Sequence, residues 1–271
     1  MKKITLLFVI MSLVVMNVSA KESGYSISAA VVGMSMDYRE YDDAGKILDS
    51  EKSKFNEILG GEIDIVYTSV LESENYAQLG LDINYLNGET EYLGAYIDSG
   101  LGYGSLVSRT KNTIFDIEVD YMFTLIYKSG FEFAYGFGLG YREWKRELSP
   151  QQIEIYSWYS VRPKMSFAYS LLDLQLAALV EYQYGFTTTM SISNPDLRLN
   201  LNGSNIVRVT VPLTYSITSS FDIYVAYVLE QQVIGKSDSE YFSDGINLYK
   251  IWEPDSTANN QYTKFGMTFK F

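Results

Sequence analysis

Residues 131–142 alternate apolar and polar side chains without interruption. The apolar side chains occupy every odd position: Phe131, Phe133, Tyr135, Phe137, Leu139 and Tyr141. The even positions carry glycine, alanine, Glu132 or Arg142, so none of them is large and apolar. A period of two residues indicates a β-strand with one apolar face. The apolar run spans about 11 residues, which is the length of a tilted strand that crosses a lipid bilayer.

The segments 115–125 and 207–215 show the same alternation. A soluble β-sandwich also alternates, but its inward face must fill a core. Here the polar face carries charges in the middle of strands, among them Asp120, Arg162 and Lys164. A sandwich core would not tolerate these charges, whereas the polar interior of a membrane barrel accepts them. The alternation therefore favours a barrel over a sandwich.

Ten segments of the chain have this strand pattern. They cover residues 24–38, 55–69, 75–86, 113–127, 131–147, 152–169, 173–190, 206–217, 221–236 and 259–271. Short turns and long loops alternate between most of them, which is typical of transmembrane barrels. We predict an all-β protein with a single closed antiparallel up-and-down transmembrane β-barrel of about ten strands. The segment from Glu91 to Val107 could add a hairpin, so twelve strands is the alternative count.

The first twenty residues have the pattern of a secretory signal peptide. Lys2 and Lys3 precede an apolar run from Ile4 to Met16, and small or aliphatic residues lead to Ala20. A lone membrane helix is the alternative, but the run is shorter than the roughly 20 residues that a span needs. We therefore predict a signal peptide over 1–20, cleavage after Ala20, and an outer-membrane β-barrel domain over 21–271.

Composition narrows the classes of function. The net charge of −12 becomes −14 when the leader is removed with Lys2 and Lys3, which argues against a nucleic-acid partner. No cysteine is present, so disulfides and thiolate chemistry are excluded. The chain has 24 tyrosines and a mean hydropathy of only −0.04. This combination is typical of strands that present one face to lipid and keep the other polar.

The chain ends in a strand pattern with an aromatic last residue. Residues 265–271 place apolar side chains at every second position, and the final one is Phe271. This terminus resembles the last strand of bacterial outer-membrane β-barrel proteins, whose final Phe is read by the barrel-assembly machinery. The resemblance implies that Phe269 and Phe271 form an assembly signal and that the protein resides in the outer membrane of a Gram-negative envelope. We expect a monomer in contact with outer-membrane lipid and lipopolysaccharide.

Histidine is absent from the sequence, which removes the usual general base and the commonest metal ligand. The known enzymes of the class that this chain resembles, including the omptin proteases with their Asp/His couple, rely on histidine. We therefore predict no catalytic residue, no cofactor and no enzymatic activity. An enzyme that uses carboxylates such as Asp82 or Asp120 is a third hypothesis without a motif. The acidic residues between 238 and 255 do not have the spacing of an EF-hand, so we expect no metal.

Three tight turns allow registers for the inward face to be proposed. The turn at Ser129 pairs Asp120 with Gly138, Glu118 with Gly140 and Asp116 with Arg142. The turn at Pro150 pairs Gly138 with Arg162, Gly136 with Lys164, Arg142 with Trp158 and Arg146 with Glu154. Two acids and two bases then face each other across glycines, at about two strand spacings of roughly 4.8 Å. The turn at Ser219 places Arg208 opposite Glu230.

We predict an ionic network in the lumen, made of Glu118, Asp120, Arg142, Arg162, Lys164, Arg208 and Glu230. A small barrel is barely wide enough for its own side chains, and paired charges satisfy one another without water flow. This favours a plug. A narrow porin-like channel for small solutes or ions is the alternative. The first functional hypothesis is a non-enzymatic barrel whose surface loops serve adhesion, envelope integrity or environmental contact. Pro212, which cannot donate to a ladder, predicts a local break in its strand.

Overall fold

The computed structural model of the protein describes residues 23–71, 75–95, 102–127, 130–243 and 245–271. The predicted signal peptide, residues 1–20, lies outside the described residues. The described strands are β1 (Ser23–Tyr41), β2 (Ile47–Lys52), β3 (Ile58–Val70), β4 (Tyr76–Gly94), β5 (Leu106–Tyr127), β6 (Phe131–Glu147), β7 (Ile153–Leu171), β8 (Leu174–Ser193), β9 (Asp196–Asn200), β10 (Ser204–Thr218), β11 (Phe221–Ile234), β12 (Glu240–Ser243), β13 (Leu248–Ile251) and β14 (Asp255–Lys270). Among these residues no helix is long and apolar enough to cross a membrane.

The strands close into an antiparallel barrel with ten wall positions, as predicted. Two wall positions each contain two strands that lie end to end. At one position β2 and β3 both lie between β1 and β4, and at the other β9 and β10 both pair with β8. The barrel closes where β1 pairs with β14, and Tyr25 and Phe271 exchange two backbone hydrogen bonds there. The hairpin of β12 and β13 forms a separate two-stranded sheet.

In the segment from Glu91 to Val107, the described residues 91–95 and 102–107 add no strand to the wall, and the suggested turn near residue 99 lies outside the described residues. Instead β4 and β5 remain paired until Gly94 lies opposite Leu106. The alternation in this segment therefore belongs to the outer ends of two long strands, and the count of ten holds over twelve. Pro212 produces the predicted break: the β8–β10 ladder stops after Thr210 and resumes at Leu213, because proline has no N–H to donate.

A belt of apolar side chains covers the outer wall. On β6 the outward residues Phe131, Tyr135, Phe137 and Leu139 are about half exposed, and on β7 the belt reaches from Leu171 up to Tyr159. Outward positions beyond it carry Glu143, Lys145 and Glu147 on β6. A contiguous belt of exposed apolar side chains around a barrel is typical of a surface that faces lipid, so we assign the belt to the lipid-facing surface. Its outer edge lies near Tyr141.

Candidate functional site: the lumen

Carboxylates of β5 reach basic side chains of β7 across the glycines of β6. Lys164 contacts Glu118 and Asp120, both at 2.7 Å, and Arg162 contacts Glu118 at 3.1 Å and Asp116 at 2.7 Å. The pairing registers are those proposed from the turns. A Cβ atom at Gly138 would overlap the Glu118 carboxylate, and one at Gly140 would overlap the Arg162 guanidinium. The missing side chains are therefore what gives the ion pairs their space.

Glu230 connects the other side of the lumen. Its carboxylate lies 2.6 Å from Arg208 and 3.1 Å from Arg142, and it also accepts hydrogen bonds from Asn260 at 2.9 Å and Tyr262 at 2.8 Å. These four partners come from the two neighbouring wall strands, β10 and β14, and from β6 across the lumen. The carboxylate is thus fully satisfied, as a buried charge must be.

Glu181 links the two halves of the network. It contacts Lys164 at 3.3 Å and Arg208 at 3.2 Å, while Arg142 lies 5.9 Å from the ring of Trp158. Five carboxylates and four basic side chains therefore form one connected group at the level of the lipid belt. All seven side chains proposed from the sequence lie in this group, together with Asp116 and Glu181. We call the group the membrane-level network.

A cavity of about 240 Å³ adjoins the membrane-level network. Its opposite wall holds Glu62, Asp64 and Asp82, whose carboxylate oxygens lie within 4.8 Å of one another, and Lys264 contacts Glu62. These three acids are the described group that most nearly resembles a cation site. A second cavity of about 380 Å³ opens towards the periplasmic turns and shares Asp120 and Lys164 with the first.

An apolar layer lies outward of the membrane-level network. Along β6 the inward positions after Arg142 are Trp144 and Arg146, and Trp144 is 2% exposed. Trp144 stacks on Tyr156 at a centroid distance of 5.2 Å and meets the edge of Tyr38 at 5.0 Å. The other buried apolar side chains of this layer include Val32, Met34, Met36, Ile58, Leu86, Ile114, Trp158, Met190, Leu199 and Ile206. The outer half of the barrel therefore has a packed core.

Arg146 occupies the centre of a second ionic group, which we call the outer cluster. Its guanidinium donates to Glu51 at 2.8 Å and to Glu40 and Glu154, both at 2.9 Å. The rings of Tyr38, Trp144 and Tyr156 surround it, with centroids 4.6, 5.4 and 5.8 Å from the guanidinium carbon. Such contacts stabilise a desolvated cation. The cluster lies beyond the outer edge of the lipid belt, because Arg146 follows Tyr141 by five residues along a strand that runs outward.

The outer cluster has more acids than bases, and this shifts the protonation of its members. Burial raises the pKa of Glu154, and burial together with the Glu40 carboxylate raises the pKa of Asp49 to about 6. Burial and the neighbouring Glu40 and Glu154 raise the pKa of Glu253 well above its ordinary value. Burial and the neighbouring carboxylates therefore favour the neutral forms of these carboxyl groups.

The short turns made much of the membrane-level network predictable. Glu181 could have been found in the same way, because closing the turn at Leu172 aligns it with Lys164. The outer cluster had no such signal: only the pairing of Arg146 with Glu154 was proposed, whereas Glu51 lies 95 residues away in sequence. The contact of Lys264 with Glu62 depends on barrel closure through β1, which no turn specifies.

The closed wall, the apolar belt and the charged lumen define a transmembrane β-barrel, and comparison with solved structures shows the same barrel fold. The outer membrane protease OmpT from Escherichia coli matches with a TM-score of 0.56 and 13% identity, over 94% of this chain and 99% of that one. The translocator domain of the autotransporter NalP from Neisseria meningitidis matches with a TM-score of 0.43 and 9% identity, over 100% and 95% of the two chains. The transport unit of the autotransporter AIDA-I from Escherichia coli matches with a TM-score of 0.44 and 10% identity, over 96% of each.

The likeness to OmpT shows the fold and does not extend to activity at this identity. No family model matches the sequence, and no curated protein matches it significantly.

Proposed function

We propose that the protein is a sealed, non-catalytic barrel of the bacterial outer membrane, whose outer loops carry its function in adhesion, envelope integrity or contact with the environment. The observation that carries this proposal is the apolar layer between the membrane-level network and the outer cluster. Trp158 and Tyr156 are fully buried there, and Trp144 nearly so. An ion that crossed the barrel would have to leave water and enter this layer, which is costly.

The absence of histidine supports a non-catalytic role. OmpT is named as a protease, but its activity belongs to that protein. The proposal includes export with a cleaved signal peptide, a monomeric state, and contact with outer-membrane lipid and lipopolysaccharide. It also includes recognition of the final strand by the assembly machinery: Phe269 and Phe271 lie at the edge where β14 closes against β1.

A narrow channel is the second candidate. Two adjoining cavities, which share Asp120 and Lys164, support this candidate. They form an open path only in the periplasmic half of the lumen. For this candidate, the apolar layer would have to open in the native protein.

Single-channel recording in a planar bilayer tests the two candidates. The sequence holds three tryptophans, two in the apolar layer and Trp252 exposed in an outer loop. We expect the wild type and the Trp252→Ala variant to be silent, and the Trp144→Ala/Trp158→Ala double variant to leak, because it removes the two largest side chains of the seal. Stable ion-selective openings in the wild type would replace the sealed barrel with the channel.

A further inference from the structure

The loop between β11 and β14 is not part of the barrel wall, although Ile251 of its strand β13 packs against the buried apolar core. Its strands β12 and β13 form ladder hydrogen bonds only with each other in the described part of the chain. At its base, Ser237 accepts a hydrogen bond from the Glu253 N–H at 2.8 Å and donates its own N–H to the Glu253 carbonyl at 3.0 Å. Lys236 adds an exposed ion pair with Asp43 at 2.9 Å. The contacts at Ser237, Lys236 and Glu253 therefore fasten the base of the loop.

The side chain of Glu253 enters the outer cluster and is only 6% exposed. Its carboxyl group accepts a hydrogen bond of 2.5 Å from the Tyr156 hydroxyl, which in turn accepts one of 3.0 Å from Arg146. No cation lies within 4.0 Å of this carboxyl group among the residues that the structure describes. Every nitrogen of the Arg146 guanidinium already donates to other partners: Glu51, Glu40, Glu154 and Tyr156.

A buried carboxylate without a cation is costly, and a proton removes that cost. We propose that Glu253 is a proton-operated latch: the outer loop that carries β12 and β13 docks on the barrel when the Glu253 carboxyl group is neutral and is released when it ionises. The unpaired burial of this side chain and the lack of a ladder between the hairpin and the wall carry the proposal.

The groups that face Glu253 determine the direction of the switch. Tyr38 and Glu40 face it from β1, Arg146 from β6, and Glu154 and Tyr156 from β7; Asp49 and Glu51 of β2 complete the outer cluster. The carboxyl group has its ordinary pKa near 4.5 when it is in water and a higher one when it is docked. The docked state therefore holds a proton that the released state loses, so docking weakens as the pH rises from about 4.5 towards the docked pKa.

The test measures the position of the loop directly. The chain has no cysteine, so nitroxide labels can be placed at Ala44→Cys and Leu248→Cys, two exposed positions on different outer loops. Pulsed electron paramagnetic resonance of the refolded full chain then gives the distance distribution from pH 5 to pH 9. We expect a narrow distribution in acid and a broad one in alkali, with the docked-to-released ratio falling by up to tenfold per pH unit, the limit for one proton.

Glu253→Gln should remain docked at every pH, because the amide oxygen still accepts from Tyr156 and no charge forms. Glu240→Gln, an exposed acid on the same loop, should keep the full transition. Asp49→Asn should also keep it, which separates the latch from the titration of Asp49. A pH-independent wild type, a transition that persists in Glu253→Gln, or a Glu253→Gln loop that is released throughout would each overturn the proposal. Circular dichroism at each pH verifies that the barrel itself stays folded.

Discussion

At the residue scale, Gly138 and Gly140 leave the space that the side chains of Glu118 and Arg162 occupy. The long side chains of β5 and β7 meet above them, where any Cβ would collide with Glu118 or Arg162. Arg162 is fully buried and is held by Asp116, Glu118 and Ser160, so it has no free rotamer to move into. Glycine in a strand usually weakens the strand, and here the ion pairs offset that loss.

Gly140→Ala is therefore expected to destabilise the barrel by about 1–3 kcal/mol, the usual cost of overpacking a filled interior. The measurement is the free energy of unfolding by denaturant titration in a detergent or lipid environment. Gly102→Ala is the matched control, because a Cβ there meets nothing within 4 Å. Equal stability of the two variants would show that the network rearranges without cost.

Glu230 illustrates the difference between a buried and an exposed ion pair. Replacing it with glutamine leaves Arg142 and Arg208 short of a countercharge in a buried site, and we expect a loss of about 3–5 kcal/mol in unfolding free energy. Glu89→Gln breaks the exposed pair with Arg109 and should cost less than about 1 kcal/mol. Denaturant titration measures both losses. Similar losses in the two variants would contradict the prediction that the buried pair contributes more.

At the scale of elements, short turns determine how much could be predicted. The alternation located all ten wall strands, and the turns near Ser129, Pro150 and Ser219 specified the registers of their neighbours, because a register is fixed wherever two strands join tightly. Loops longer than a tight turn specify no register. For that reason β2, β9 and the hairpin of β12 and β13, all of which lie within outer loops, were not anticipated.

The element β2 makes the outer end of the barrel sensitive to pH. It places Asp49 beside Tyr92 and Glu40, where the pKa of its carboxyl group rises to about 6. The folded state thus holds a proton that the unfolded chain, with its ordinary pKa of 3.8, releases at lower pH. The contribution of Asp49 to stability must then fall as the pH rises from about 4 to about 6.

We expect Asp49→Asn to flatten this part of the stability curve, measured by denaturant titration at several pH values between 4 and 7. Asp196→Asn, at an exposed position on β9, should leave the curve unchanged. A decline of undiminished size in the Asp49 variant would assign the dependence to other carboxyl groups of the outer cluster.

At the scale of the whole molecule, the lumen is built in layers of different character. Water can enter the open cavity beside Lys164 from the end of the barrel with the short turns, and the membrane-level network then faces a small chamber. Beyond it the apolar layer separates this chamber from the outer cluster. The sequence predicted charges in the lumen but not the apolar layer. An inward Met34 or Trp158 appears in the sequence as a single apolar residue on a polar face. The sequence does not show which residues of other strands it contacts across the barrel.

Thiol accessibility distinguishes the open half of the lumen from the closed half on a single strand. Ser166 and Ser160 both point inward from β7; Ser166 lines the periplasmic cavity, whereas Ser160 is 1% exposed beside Arg162. In this cysteine-free chain, we expect Ser166→Cys to react quickly with a small, charged, water-soluble thiol reagent and Ser160→Cys to be protected by at least tenfold. Serine to cysteine changes the shape little, so the difference reports access to water. Comparable rates at both positions would mean that water passes the membrane-level network, and the seal would then depend on the apolar layer alone.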